Sequence, residues 1–277
     1  MRYRPVRLVS LATVCLAVAG FPFLSCAQSP GSEPDLTEAQ KKEFLLHAKV
    51  TTTREIGKGV TNPWRLTLSD GTLTHDAAFQ PVDRRETSVS FIGGPSEVGF
   101  RDSYHYNIAA YELARLLGLD DMVPVTVERK WRGQEGALSW WVPWKWDEEM
   151  RRKQNLNPPD AETWNKQVDK VRVFAKLVYD TDLNAGNLLI TEDWKLWMID
   201  FTRAFRLHKQ VQAPEQLQRC DRQLLQKLRQ LDGKELLEKT QPHLSVGEVQ
   251  ALMSRRDQIA DHFQQLNGRK GEDAVLY

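Results

Sequence analysis

Asp182 lies five residues before Asn187, and Asp200 follows thirteen residues later at the end of the run Trp197-Met198-Ile199. The apolar stretches 188–190 and 196–199 between them read as two short strands, so a hairpin would return Asp200 to the side of Asn187. A chain with this spacing must present a loop acid, an amide and a second acid at one edge, which is the layout of a phosphoryl-transfer site. Asp182 on a loop can accept the proton of an attacking hydroxyl, while Asn187 and Asp200 offer hard oxygens to Mg²⁺. Taken alone, Asp182-Leu183-Asn184-Ala185-Gly186-Asn187 is also what a turn looks like, because Asp, Asn and Gly favour turns. Asp200 alone is also what a cap looks like. Their combination, after a long helix and behind a β-rich half, favours the chemical reading.

The flanking pattern supplies that context. Periodicity predicts a helix over 37–47, capped by Asp35 or Thr37, then strands over 49–55, 64–68 and 73–79. Gly57-Lys58-Gly59 and Ser69-Asp70-Gly71 are the turns between them. A Gly- and Pro-containing loop is expected over 81–103, followed by an amphipathic helix over 104–117 that Gly118 stops. Strands are expected over 123–128 and 137–142, a charged helix or loop over 147–155 and a long helix over 161–178. From Gln212 onward the chain reads as helical, with Leu217 to Leu231 as one segment containing Cys220. The helix over 244–263, bearing Arg255-Arg256-Asp257, is expected to pack on the second half.

The N-terminus is set apart. Arg2, Arg4 and Arg7 precede an apolar run from Leu8 to Leu24, and Ser25-Cys26-Ala27 then leads into a polar stretch. This order is that of a secretory signal peptide over 1–27, with small residues at −3 and −1 of a cut after Ala27. A lipoprotein signal ending at residue 25, with Cys26 acylated as the only membrane attachment, is the alternative. Either implies an exported protein. With Cys15 and Cys26 removed or lipidated, Cys220 is left alone and is expected to be a buried, inert thiol. The six scattered histidines offer no Cys/His metal spacing.

Over all 277 residues, Lys+Arg 38 against Asp+Glu 37 gives +1. The segment 1–27 holds three of the arginines and no acid, so the remaining 35 basic and 37 acidic residues give −2. Neither value suits a nucleic-acid binder working through a broad basic field.

With these residues in view, the chain resembles the atypical kinases, which include HipA-type bacterial kinases, the phosphatidylinositol 3-/4-kinase group and the secretory-pathway kinases. Their pattern is Asp-Arg-(Asn/His)-x-x-Asn followed by Ile-Asp at a strand end, met here by Asp182, Asn187 and Ile199-Asp200. The run from Ala109 to Leu119 resembles the first-lobe helix of exported bacterial members. The resemblance covers roughly Gly57 to Phe205 and implies an α+β, two-lobed protein-kinase-like fold. It places a linker and short helix over 28–48, a β-rich N-lobe with one helix over 49–146 and a mainly helical C-lobe over 147–277. It further implies Asp182 as catalytic base, Asn187 and Asp200 as metal ligands, and ATP and Mg²⁺ as cofactors. Gly57, Gly59, Thr61 and Gln80 fall where the family contacts nucleotide, and the acceptor would be a hydroxyl or a protein partner.

Three positions depart from the family. Gln80 stands where a phosphate-binding Lys is expected, Asn107 where the helix Glu that pairs with it is expected, and Leu183 replaces the Arg after the loop acid. Both members of the ion pair are neutral together, which avoids a lone charge in the cleft. Glu112 or Lys58 could substitute, and Arg203 could return positive charge or form a structural ion pair. A kinase of unusual configuration and a pseudokinase that binds nucleotide or scaffolds a partner both remain open. So does an exported glycan-binding or glycan-processing protein, on the strength of Trp140-Trp141-Val142-Pro143-Trp144-Lys145-Trp146 beside Asp147, Glu148 and Glu149.

Overall fold

The computed structural model describes residues 36–57, 63–90, 96–182 and 184–277. The signal-peptide reading, Cys26, Lys58, Gly59, Thr61 and Leu183 fall outside them. Helix α1 (Glu38–His47) starts on Thr37, whose hydroxyl accepts from the Gln40 amide while the Gln40 side chain accepts from the Thr37 amide. Phe44 and Leu45 are its buried face.

Strands β1 (Lys49–Glu55), β2 (Trp64–Ser69) and β3 (Thr74–Gln80) form an antiparallel meander. Leu66 and Leu68 alternate into the core from β2, as Ala77 and Phe79 do from β3. After helix α2 (His105–Leu117), strands β6 (Thr126–Trp131) and β7 (Gln134–Trp140) complete a five-stranded sheet in the order β1-β2-β3-β7-β6. Both of these strands are displaced from their expected ranges. Pro124 cannot donate to a ladder, so pairing begins after it. Arg132 and Gly133 at φ 50° and 82° then make the two-residue turn that pairs Trp131 with Gln134.

The larger correction concerns 81–103, expected as a loop. It carries β4 (Asp83–Ser90) and β5 (Ser96–Ser103), an antiparallel pair separate from the main sheet. The two strands, DRRETSVS and SEVGFRDS, hold mostly polar residues, so no apolar alternation marks them in the sequence.

The second half opens with β8 (Trp144–Asp147), α3 (Glu148–Lys153) and α4 (Ala161–Val178). Strand β8 pairs with β9 (Leu188–Thr191), and β9 with β10 (Leu196–Met198), as an antiparallel three-stranded sheet. Four helices follow: α5 (Arg222–Gln230), α6 (Gly233–Thr240), α7 (Val246–Lys270) and α8 (Glu272–Val275). Cys220 is not in a helix as expected. It pairs with Leu276 ahead of α5, whose N-cap is Asp221. Its thiol is buried and burial pushes it up to about 12, which keeps it protonated and inert.

One apolar core runs from α1 and the main sheet through α2 into α4 and α7. Two polar clamps cross it. Arg101 of β5 reaches Glu248 of α7 at 2.7 Å, and the Tyr106 hydroxyl donates to the same carboxylate. Fully buried Arg255 of α7 donates to the carbonyls of Leu177, Arg206 and His208, bracing the chain on either side of the β9–β10 hairpin. Among the described residues no helix is long and apolar enough to cross a membrane.

Candidate active site

The loop from Tyr179 to Asn187 is built by local hydrogen bonds. Tyr179 takes the left-handed conformation that ends α4, and the Asp180 carboxylate accepts from the Asp182 amide at 2.9 Å. Asn184 accepts from the Gly186 amide at 2.8 Å, an Asx turn leading into the short 3₁₀ segment Ala185–Asn187. Asn187 donates its side-chain amide to the Asp182 carbonyl at 3.2 Å, which leaves its oxygen free to accept or coordinate. The Ile199 amide donates to the Asn187 carbonyl at 3.0 Å, closing the hairpin and returning Asp200 beside Asn187. The turn reading and the site reading of this loop are therefore compatible: the turns hold the side chains in place.

Asp200 sits at φ 60°, a left-handed conformation that Asp tolerates better than a branched residue does. The next residues are tied to the first half of the chain. Phe201 donates its amide to the Asn107 side-chain oxygen of α2 at 2.7 Å, and Thr202 accepts from the Ser103 amide of β5 at 2.8 Å. Asn107 thus anchors the Asp200 segment instead of pairing with a cation.

Asp182, Asn187, Asp200, Gln80 and Asn107 all line one cavity of about 730 Å³. Its apolar part is formed by Ile56, Ala78, Val123, Val142, Leu189 and Met198. Gln80, at the end of β3, is nearly fully buried. Gly136 of β7 permits that placement, because a Cβ there would stand 2.7 Å from the Gln80 carbonyl oxygen. Gly57 is exposed at the end of β1 and is not in the lining, although Ile56 and Pro63, which flank its loop, are. Glu112 does not reach the cavity. It pairs with Lys42 of α1 at 2.9 Å and with Arg115 at 2.7 Å, so it is no substitute for a cleft Glu.

Two lining residues lacked any signal in the sequence reading, Asp102 of β5 and Arg84 of β4. They are opposite each other in the β4–β5 register. The period-two series Arg84, Glu86 and Phe100, Asp102 would have found them, had the segment been recognised as strand. Asp102 is 8% exposed, and its Oδ1 is buried without a hydrogen-bond partner.

The charge balance of the site is negative. Burial raises the Asp200 carboxyl above its ordinary value, and the charges of Asp102 and Asp182 push it the same way. Burial likewise lifts Asp180 to about 7, with Asp182 and Asp200 adding to the effect. Arg203 stands 3.7 Å from the Asp182 carboxylate and over the Phe100 ring, and it lines the cavity. A buried carboxylate oxygen lacking a partner, beside a second carboxylate held above its normal range, is an arrangement that a divalent cation relieves.

The aromatic run serves both packing and the cavity wall. Trp140 is buried and stacks on His75 with centroids 3.8 Å apart, and Trp140, Trp141 and Trp144 all line the cavity. The neighbouring acids are engaged in α3. Asp147 accepts from the Met150 amide, Glu148 pairs with Arg151 and Arg152, and Glu149 pairs with Lys153, while Asp147 and Glu149 also line the cavity.

No protein-family model matches the sequence, and no curated protein matches it. Solved structures do match. A structure of hydra Fam20 with sugar superposes with a TM-score of 0.62 at 17% identity, covering 86% of this chain and 91% of that one. The Golgi casein kinase gives 0.61 at 13% identity, covering 88% and 78%, and a structure of it with Mn/ADP bound gives 0.60. The Helicobacter pylori proinflammatory kinase CtkA gives 0.52 at 10% identity, covering 82% and 98%. With a β-rich sheet and helices α1 and α2 ahead of a mainly helical half, this chain has the fold of the atypical kinases.

Proposed function

We propose that the cavity binds Mg-ATP and that the protein transfers the γ-phosphoryl group to a hydroxyl acceptor. The observation that carries this reading is the convergence of Asp182, Asn187 and Asp200 on one cavity, together with the unpartnered buried oxygen of Asp102. Asp200, Asn187 and Asp102 would hold Mg²⁺, which supplies charge neutralisation to phosphate oxygens. The apolar part of the cavity suits a nucleobase. Arg203 and Arg84 provide the cationic contacts that Gln80 cannot, since a neutral amide donates a hydrogen bond without a charge. Asp182, half-exposed at the cavity wall, takes the acceptor hydroxyl proton as that oxygen bonds to the γ-phosphorus and ADP departs with the bridging oxygen. Gly57, Gly59 and Thr61 fall in the sequence between β1 and β2, and their backbone amides would cover the phosphates.

A second reading, nucleotide binding without transfer, is favoured by one feature: Gln80 in place of a cation. Both readings place the protein outside the cytoplasm through the segment 1–27, with Cys26 as an optional lipid anchor. The full chain incubated with γ-labelled Mg-ATP distinguishes them. Phosphate incorporation into the chain or a hydroxyl-bearing acceptor that disappears in Asp182→Ala supports transfer. A nucleotide-dependent rise in melting temperature with no incorporation selects the binding-only reading. A rise with oligosaccharide and none with nucleotide would replace both by the glycan reading.

A further inference from the structure

His105, Glu128 and His243 are far apart in sequence and meet at the N-terminal end of α2. His105 is the first residue of α2, Glu128 lies on β6 and His243 lies in the connection between α6 and α7. One ligand atom from each lies within 4.8 Å of the other two. The two Nδ1 atoms are 2.9 Å apart, with ring centroids 5.2 Å apart and tilted by 35°. We propose that these three residues form a binding site for a borderline divalent metal ion of the Zn²⁺ class, bracing α2 against the α6–α7 connection.

The donor set is two imidazoles and a carboxylate, which leaves a fourth position for water, and imidazole selects Zn²⁺ and its neighbours over Mg²⁺ or Ca²⁺. Two nitrogens bound at about 2.1 Å subtend ~3.0 Å at a right angle and ~3.4 Å at the tetrahedral angle. The existing separation therefore needs to open by only a few tenths of an ångström. Each ligand is already oriented. The Tyr104 hydroxyl donates to Glu128 at 2.7 Å, and the Tyr104 ring lies 4.1 Å from that of His105. His243 is buried, and its amide is fixed on the Thr240 carbonyl at 2.7 Å. Such outer contacts fix the orientation of metal-binding side chains.

Charge and protonation agree with the geometry. Burial lowers the pKa of both histidines, so they are neutral and have lone pairs to give. The groups around them are of both signs: Glu128 and Asp83 act to raise His105 while Arg101 and Arg85 lower it, and Glu128 and Glu112 act to raise His243. Two neutral imidazoles and one carboxylate carry −1, which a divalent ion turns to +1. The consequence for the molecule is mechanical. His105 and Asn107 share the first turn of α2, and Asn107 holds the amide after Asp200, so an ion here would stiffen the attachment of the Asp200 segment.

The test uses the full chain, stripped with a chelator and titrated with Zn²⁺ alone, without nucleotide. One equivalent of zinc should be retained after desalting, with a rise in melting temperature. His243→Ala should lose both. Glu128→Gln, an exposed position on β6, should keep the metal-free melting temperature and weaken zinc binding by about tenfold or more. Asp200→Ala should bind zinc as the wild type does, which separates this site from the nucleotide cavity. Retention of equal zinc by wild type, His243→Ala and Glu128→Gln would overturn the proposal. Absence of retained zinc in wild type would also overturn it and leave His105 and His243 as a hydrogen-bonded pair.

Discussion

The wall of the cavity built from the second half carries Asp182, Asn187 and Asp200 on a loop and hairpin only nineteen residues long. The wall built from the first half carries Gln80, Asn107 and Asp102, drawn from β3, α2 and β5. The second-half wall offers the oxygens that the proposed metal and acceptor proton would need. The first-half wall has neutral amides where a cation and its counter-charge are expected, and an additional acid, Asp102, where none is. The difference shows how charge has been redistributed. Arg203 and Arg84 bring positive charge to the cavity, and the helix is tied to the Asp200 segment by the Asn107–Phe201 bond.

The first way to break this comparison is to exchange the cations. Arg203→Ala should slow transfer by about a hundredfold, in the range found when a charge stabiliser of a transition state is removed. Gln80→Lys should change it by no more than about threefold, because its customary role is already filled. The opposite ranking in the same phosphate-incorporation assay would put the phosphates against Gln80. Next, Asp102→Asn should raise the Mg²⁺ concentration needed for half-maximal nucleotide-dependent stabilisation by about tenfold, since it exchanges a charged ligand for a neutral one. An unchanged Mg²⁺ requirement would remove Asp102 from the metal set.

How much of this was visible beforehand follows from where the information lies. Asp182, Asn187 and Asp200 could be read because local turns and one hairpin bring them together. Helix α4 could be read because its cap and apolar stripe are both local. Asp102 and Arg84 could not, because the sequences of β4 and β5 are mostly polar and show no apolar alternation. The meaning of Asn107 rests on a contact 94 residues away, and the His105, Glu128 and His243 grouping joins elements up to 138 residues apart. Scattered histidines in a sequence give no sign of such a meeting.

Smaller effects sharpen the account of the two walls. Asn107→Ala removes the acceptor of the Phe201 amide and leaves a buried donor unsatisfied, so it should cost about 1–3 kcal/mol in urea denaturation. Asp180, two residues before Asp182, is held protonated up to about pH 7 by burial and by its acidic neighbours. The folded chain therefore keeps a proton that the unfolded chain releases from about pH 4, and stability falls as pH rises through that window. Asp180→Asn should abolish this fall, melting higher than wild type at pH 8 and matching it at pH 4. A variant less stable than wild type at pH 8 would show that the Asp180 charge is compensated in the fold.

The most direct test of the central claim is the melting temperature of the full chain with Mg-ATP, in wild type and in Asp200→Ala. Nucleotide at one hundred times its Kd stabilises a folded chain by about 2.7 kcal/mol, a shift of a few degrees for a domain of this size. The account predicts that shift in wild type and its loss in Asp200→Ala, with the metal-free melting temperature of the variant unchanged or higher. An equal shift in both proteins, or none in wild type with either Mg²⁺ or Mn²⁺, would contradict it.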